Sequence, residues 1–154
     1  MEAKRFIIAT VIALCAALSP LGSAQAACSL GGASIAFGTY DPLSLQPLDT
    51  IGSLVFRCTQ RDHNIMILLS RGGGSSYSLR RMANDNEQLL YNLYRDAGRT
   101  VIWGDGSGGT QAYFINNPQP NNQDLSVPIF GRIPANQNIA VGNYADTITV
   151  TLTF

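Results

Sequence analysis

Tyr144-Ala145-Asp146-Thr147-Ile148-Thr149-Val150-Thr151-Leu152-Thr153-Phe154 is the stretch that decides the fold. Apolar Ile148, Val150, Leu152 and Phe154 alternate with Thr147, Thr149, Thr151 and Thr153. A period of two sends the aliphatics and the phenyl ring to one face of a strand and the hydroxyls to the other. A strand left at a sheet edge is normally blunted by charge, proline or a covering segment. Residues 147–154 carry no charge and no proline. The run is expected to be a strand with one apolar face and an unprotected edge.

Working back from that strand, short apolar or alternating runs recur between clusters of Gly, Pro, Asn and Asp. The expected strands are Ser34–Gly38, Ser53–Cys58, Asn64–Ser70, Gln88–Arg95, Ala112–Ile115, Leu125–Arg132 and Tyr144–Phe154. Tyr40-Asp41-Pro42, Arg71-Gly72-Gly73-Gly74, Trp103-Gly104-Asp105-Gly106 and Asn116-Asn117-Pro118-Gln119-Pro120-Asn121-Asn122 punctuate them. Gly and Asn at such places permit the positive φ of tight turns. In Gln88–Arg95 the residues Leu89, Leu90, Leu93 and Tyr94 could equally line a helix face, but the β spacing on both sides favours a strand. Seven short strands in this length predict an all-β, immunoglobulin-like sandwich.

Residues 1–26 read as a secretory signal peptide. Lys4 and Arg5 form its positive start, and Phe6 to Leu18 is apolar except for Thr10. Pro20 and Gly22 then precede the small-x-small cleavage signal Ala24-Gln25-Ala26. An apolar run of thirteen residues falls short of the ~20 needed to span a bilayer, so no stable membrane insertion is expected. A lipoprotein signal would want an aliphatic residue three before Cys28, where Gln25 stands. The mature domain is therefore residues 27–154, a single-domain length.

Without the leader the chain has no lysine, and its acidic residues outnumber its arginines by one. A near-neutral chain cannot supply the basic stripe that nucleic acid requires. The 45% hydrophobic content is enough to fill a core, which argues against disorder. Of three cysteines, Cys15 leaves with the leader. Cys28 and Cys58 remain as an even pair in an oxidising compartment, and one disulfide is the simplest reading. A redox or metal pair would need closer spacing and more ligands than one histidine and two cysteines provide.

Several stretches together resemble the spore coat protein U domain. They are Phe37-Gly38-Thr39-Tyr40-Asp41-Pro42, Leu90-Tyr91-Asn92-Leu93-Tyr94-Arg95-Asp96, Trp103-Gly104-Asp105-Gly106, Gly131-Arg132-Ile133-Pro134-Ala135-Asn136-Gln137 and Gly142-Asn143-Tyr144 running on to Leu152. The family includes secreted pilin subunits of archaic chaperone–usher pili. The resemblance implies a sandwich lacking its final strand, held by a periplasmic chaperone, delivered to an outer-membrane usher and completed by a strand from a neighbouring subunit. It further implies attachment and biofilm formation at the cell surface, or, in the alternative, a coat or matrix protein of the same fold that forms no pilus. Combined with the alternation, it makes Ile148, Val150, Leu152 and Phe154 the groove-facing residues beside the chaperone.

A donor strand would have to lie ahead of Cys28, and cleavage after Ala26 leaves only Ala27 there. A subunit that accepts a strand and has none to give is expected at the tip or another end of a fibre. No enzyme activity, cofactor or metal is expected. His63 stands alone in a polar turn, and a catalytic base needs a positioned nucleophile. Trp103-Gly104-Asp105-Gly106 lacks the repeated oxygen ligands of a calcium loop and reads as a turn with a packed Trp. Arg80-Arg81 reads as solvated charge. Tyr91, Tyr94 and Trp103 read as packing residues before they read as a sugar-stacking platform.

Overall fold

A computed structural model of the chain describes residues 28–59, 64–116 and 122–154. The expected leader, His63 and most of the Asn/Pro-rich loop after Asn116 lie outside the described residues. Among the described residues eight strands are formed: β1 (Cys28–Ser34), β2 (Leu48–Cys58), β3 (Asn64–Leu69), β4 (Arg80–Asn84), β5 (Glu87–Tyr94), β6 (Tyr113–Asn116), β7 (Asp124–Ile133) and β8 (Val150–Thr153). They make two sheets, ordered β1-β2-β7-β5-β4 and β6-β3-β8, and every ladder is antiparallel. The all-β sandwich and its single disulfide, Cys28–Cys58, are as the sequence implies.

Alternation builds the core. On β2 and β7, Leu54, Phe56, Cys58, Val127, Ile129 and Ile133 turn inward, and across from them Ile65, Ile67 and Leu69 of β3 are almost completely buried. In β5, Leu89, Tyr91 and Leu93 are buried while Leu90 and Tyr94 are only half so, which is the pattern of a strand. Trp103 joins the layers. Its indole Nε1–H donates to Ile67 O at 2.8 Å, its backbone N–H to Leu93 O at 2.9 Å, and it is wholly buried.

Three expectations need correction. The expected strand Ser34–Gly38 is mostly not one: β1 ends at Ser34, and the chain then leaves the sheet edge and crosses the inner face of the larger sheet. Gly52 and Gly131 make the crossing possible. A Cβ at Gly52 would sit 2.3 Å from Ser34 O, and one at Gly131 would sit 2.6 Å from Ile35 Cδ1. The expected strand Tyr144–Phe154 shortens to β8, because its first half belongs to the other sheet: Ala145 exchanges backbone bonds with Ala83 of β4 at 2.8 and 3.1 Å. Finally, β4 itself was not foreseen, since Arg80 read as solvated charge and is in fact 0% exposed.

Candidate functional site

The two irregular crossings leave an open cleft of about 640 Å³ between them. One rim is the segment from Ile35 to Pro42, and the other runs from Ile139 to Ile148. Met82, Leu89, Tyr91, Leu93 and Ile133, all buried beneath the rims, form the floor on the inner face of the larger sheet toward its β5–β4 end. Within the rims, the one described ladder contact is the bridge between Ala145 and Ala83. The cleft is thus an apolar trough flanked by backbone that, among the described residues, is almost free of ladder bonds, and an added strand needs both such backbone partners and side-chain pockets.

Specific contacts hold each rim. On the first, Thr50 Oγ1 donates to Ala36 O at 2.9 Å, and the Phe37 ring meets Tyr91 edge-on with centroids 5.8 Å apart. The Tyr40 hydroxyl donates to Pro134 O at 3.1 Å and accepts from Gln137 N–H at 2.9 Å. On the second, Asp146 is the anchor. Its Oδ1 accepts from Gly73 N–H at 2.9 Å and its Oδ2 from the Tyr91 hydroxyl at 2.6 Å. Burial, and then the Asp146 carboxylate, push the Tyr91 phenol well above its usual range, so it stays protonated as the donor of that bond.

Of the residues expected in the groove, Ile148 lines the cleft. Val150 and Leu152 are half-buried on the inward side of β8 and pack against the core. β8 pairs with β3 along one edge, and among the described residues its other edge carries no ladder partner. Phe154 stands one residue past β8 and is 51% exposed, Thr153 being the last residue paired to β3. Tyr91 and Trp103 are buried and so form no sugar platform, and Asp105 spends its Oδ1 on the Ser107 N–H and hydroxyl. Among the described residues no three metal-ligating side chains cluster, and no helix is long and apolar enough to cross a membrane.

Local pattern alone does not mark the first rim, or the crossing over Gly52 and Gly131, as a site. Their signal was available in Phe37-Gly38-Thr39-Tyr40-Asp41-Pro42, where a breaker follows each aromatic, but which face of which sheet the segment would cover depends on distant residues.

Comparison with known proteins fits this geometry. The family model for the Spore Coat Protein U domain matches residues 14–151. The chain belongs to the spore coat protein U family. Protein U of Myxococcus xanthus is 33% identical over 153 residues, a match that covers 89% of this chain and 83% of that protein. Among solved structures, the chaperone–tip adhesion subunit pre-assembly complex of the archaic chaperone–usher Csu pili of Acinetobacter baumannii superposes with a TM-score of 0.60 at 21% identity. That match covers 84% of this chain and 40% of the other. A chaperone–usher pilus rod structure aligns over 100% of this chain and 96% of its own, with a TM-score of 0.50 at 14% identity. At these identities the structural likenesses establish the shared fold of this family member with pilus subunits.

Proposed function

We propose that this spore coat protein U family member is an exported, non-enzymatic subunit of an archaic chaperone–usher pilus, built to accept a strand from another polypeptide. The cleft carries the reading: an apolar floor lies between two rims that, among the described residues, are almost free of ladder contacts, and the second rim runs on into β8, whose far edge has no ladder partner among them. Each aliphatic side chain buried there would contribute about 1.5–3 kcal/mol before the cost of ordering the strand. Before assembly a periplasmic chaperone would cover the same surface, an outer-membrane usher would receive the subunit, and a neighbouring pilin would supply the final strand. Residues 1–26 act as the leader. The assembled fibre would stand at the cell surface and serve attachment and biofilm growth.

An end position in the fibre follows from the leader. Cleavage after Ala26 leaves Ala27 ahead of Cys28, which is bonded to Cys58 and begins β1. Such a subunit accepts a strand and donates none.

Co-expression with a chaperone encoded beside it, followed by purification from the periplasm, tests this function. A one-to-one complex is expected, and a donor-bearing partner subunit should displace the chaperone and be capped one-to-one. N-terminal sequencing fixes the cleavage site. Recovery of a free, stable monomer that ignores chaperone and partner would refute the reading, and long homopolymers would refute the end position.

The likeness to Protein U favours a second reading, a coat or extracellular matrix protein of the same fold that never polymerises through strand exchange. It predicts the free monomer in the same experiment.

A further inference from the structure

An alternating apolar strand fits an apolar trough equally well when it slides by two residues, because the same side chains face inward at each such step. Alternation therefore cannot by itself fix where an incoming strand comes to rest. A fixed obstacle at one end of the trough can.

Tyr40 and Gln137 build such an obstacle. The Tyr40 side chain leaves the first rim and reaches the backbone just ahead of the second, bonding Pro134 O and Gln137 N–H. Gln137 then imitates a strand neighbour. Its Oε1 accepts from Leu90 N–H at 2.8 Å, while its Nε2 donates to Leu90 O at 2.9 Å and to Pro134 O at 3.1 Å. The ladder between β5 and β7 ends at the pair Asn92 and Arg132, so the amide occupies the stretch of β5 just beyond it. At this end the first rim is tied to the backbone that leads into the second, and the nearest β5 backbone groups are already satisfied. A further strand residue placed here would have to break these exposed and part-buried bonds and offer replacements for them.

Resting on the strand-accepting reading above, we propose that the Tyr40–Gln137 tie is the stop that sets the end point, and so the register, of an incoming strand. The two are positioning residues that admit a strand up to the tie and no further.

The test uses the folded full-length secreted protein and synthetic peptides of alternating valine and threonine in increasing length, made soluble by lysines at either terminus. Affinity should rise about tenfold for each apolar residue added, then level off once the trough is filled up to the tie. Tyr40→Ala should move the levelling-off to longer peptides. Should that variant not fold, Tyr40→Phe, which keeps the ring and removes both hydroxyl bonds, should move it in the same direction. The same levelling-off length in wild type and variant overturns the stop while leaving the strand-accepting reading intact. Failure of every peptide to bind folded wild-type protein overturns that reading and the stop with it.

Discussion

Arg80 is a fully buried cation whose guanidinium meets only neutral oxygens. Nε and Nη2 donate to Ser70 O at 3.2 and 2.8 Å, Nη2 also to Trp103 O at 2.7 Å, and Nη1 to Asn92 Oδ1 at 2.9 Å. Burial pulls its pKa below the ordinary arginine value, with Tyr91, Tyr77 and Asp146 acting the other way, and an arginine remains charged nonetheless. The side chain binds the end of β3, the Trp103 turn and β5 into one unit. Arg80→Met should leave those acceptors unpaired and cost about 3 kcal/mol or more, read as a fall in the urea midpoint. Arg80→Lys should recover only part, since an ammonium cannot reproduce the planar fork; full recovery would contradict this role. At the surface, the bonded Arg132 guanidinium, helped by Arg99, holds the Asp49 carboxyl below its usual value. A depressed folded pKa gives stability that is present above the ordinary value near ~4 and lost as pH falls through the lower folded value. Asp49→Asn should therefore flatten the acid limb of stability against pH, measured by urea midpoints across that range. An unchanged acid limb would contradict it.

The run that ends in β8 and the crossing segment after β1 bound the cleft, and each depends on one local feature. β8 needs its inward aliphatics. Leu152→Asp should put a charge against the core at a cost of several kcal/mol, whereas Thr151→Asp on the exposed face should stay within about 0.5 kcal/mol; equal effects would misplace the strand's two faces. The crossing needs Gly52, where a Cβ would meet Ser34 O at 2.3 Å and Ile35 Cα at 2.9 Å. Backbone cannot step aside as a side-chain tip can, so Gly52→Ala should cost about 1–3 kcal/mol, read as a fall in the urea midpoint. An unchanged midpoint would count against the close approach. Sequence periodicity made the regular strands legible: β3, β5, β6 and β7 lie within a residue or so of expectation, because each alternates for its own length. β4 escaped because its inward residues are Arg80 and Met82, and a buried arginine looks like surface until its acceptors on Ser70, Asn92 and Trp103 are in place. The cleft was half legible. Ile148 and β8 come from alternation, but Asp146 diverting the chain from β4 to β3, and Ile35–Tyr40 lying in a glycine trough, arise from tertiary contacts that local pattern does not carry.

Taken together, the described residues form a sandwich closed by the Cys28–Cys58 link and open at the cleft between Ile35–Pro42 and Ile139–Ile148. Cys28–Cys58 joins the start of β1 to the end of β2 across 30 residues, and constraining the unfolded chain in this way should contribute about 3–4 kcal/mol. Replacing both cysteines by alanine should lower unfolding free energy by that amount in urea, and an unchanged midpoint would deny the bond a structural role. The cleft lies at the other extreme, with an apolar floor and rims largely outside any ladder. On the proposed function, the fold is one strand short and gains that strand from outside. The most direct measurement is the urea midpoint of a single-chain variant carrying an alternating valine–threonine strand after Phe154 on a flexible linker, set beside the same linker bearing a scrambled strand. The account predicts a gain of several kcal/mol for the alternating strand alone, with new hydrogen-exchange protection in Ile35–Tyr40 and Ile139–Ile148. Identical midpoints and unchanged protection in the two variants would contradict it.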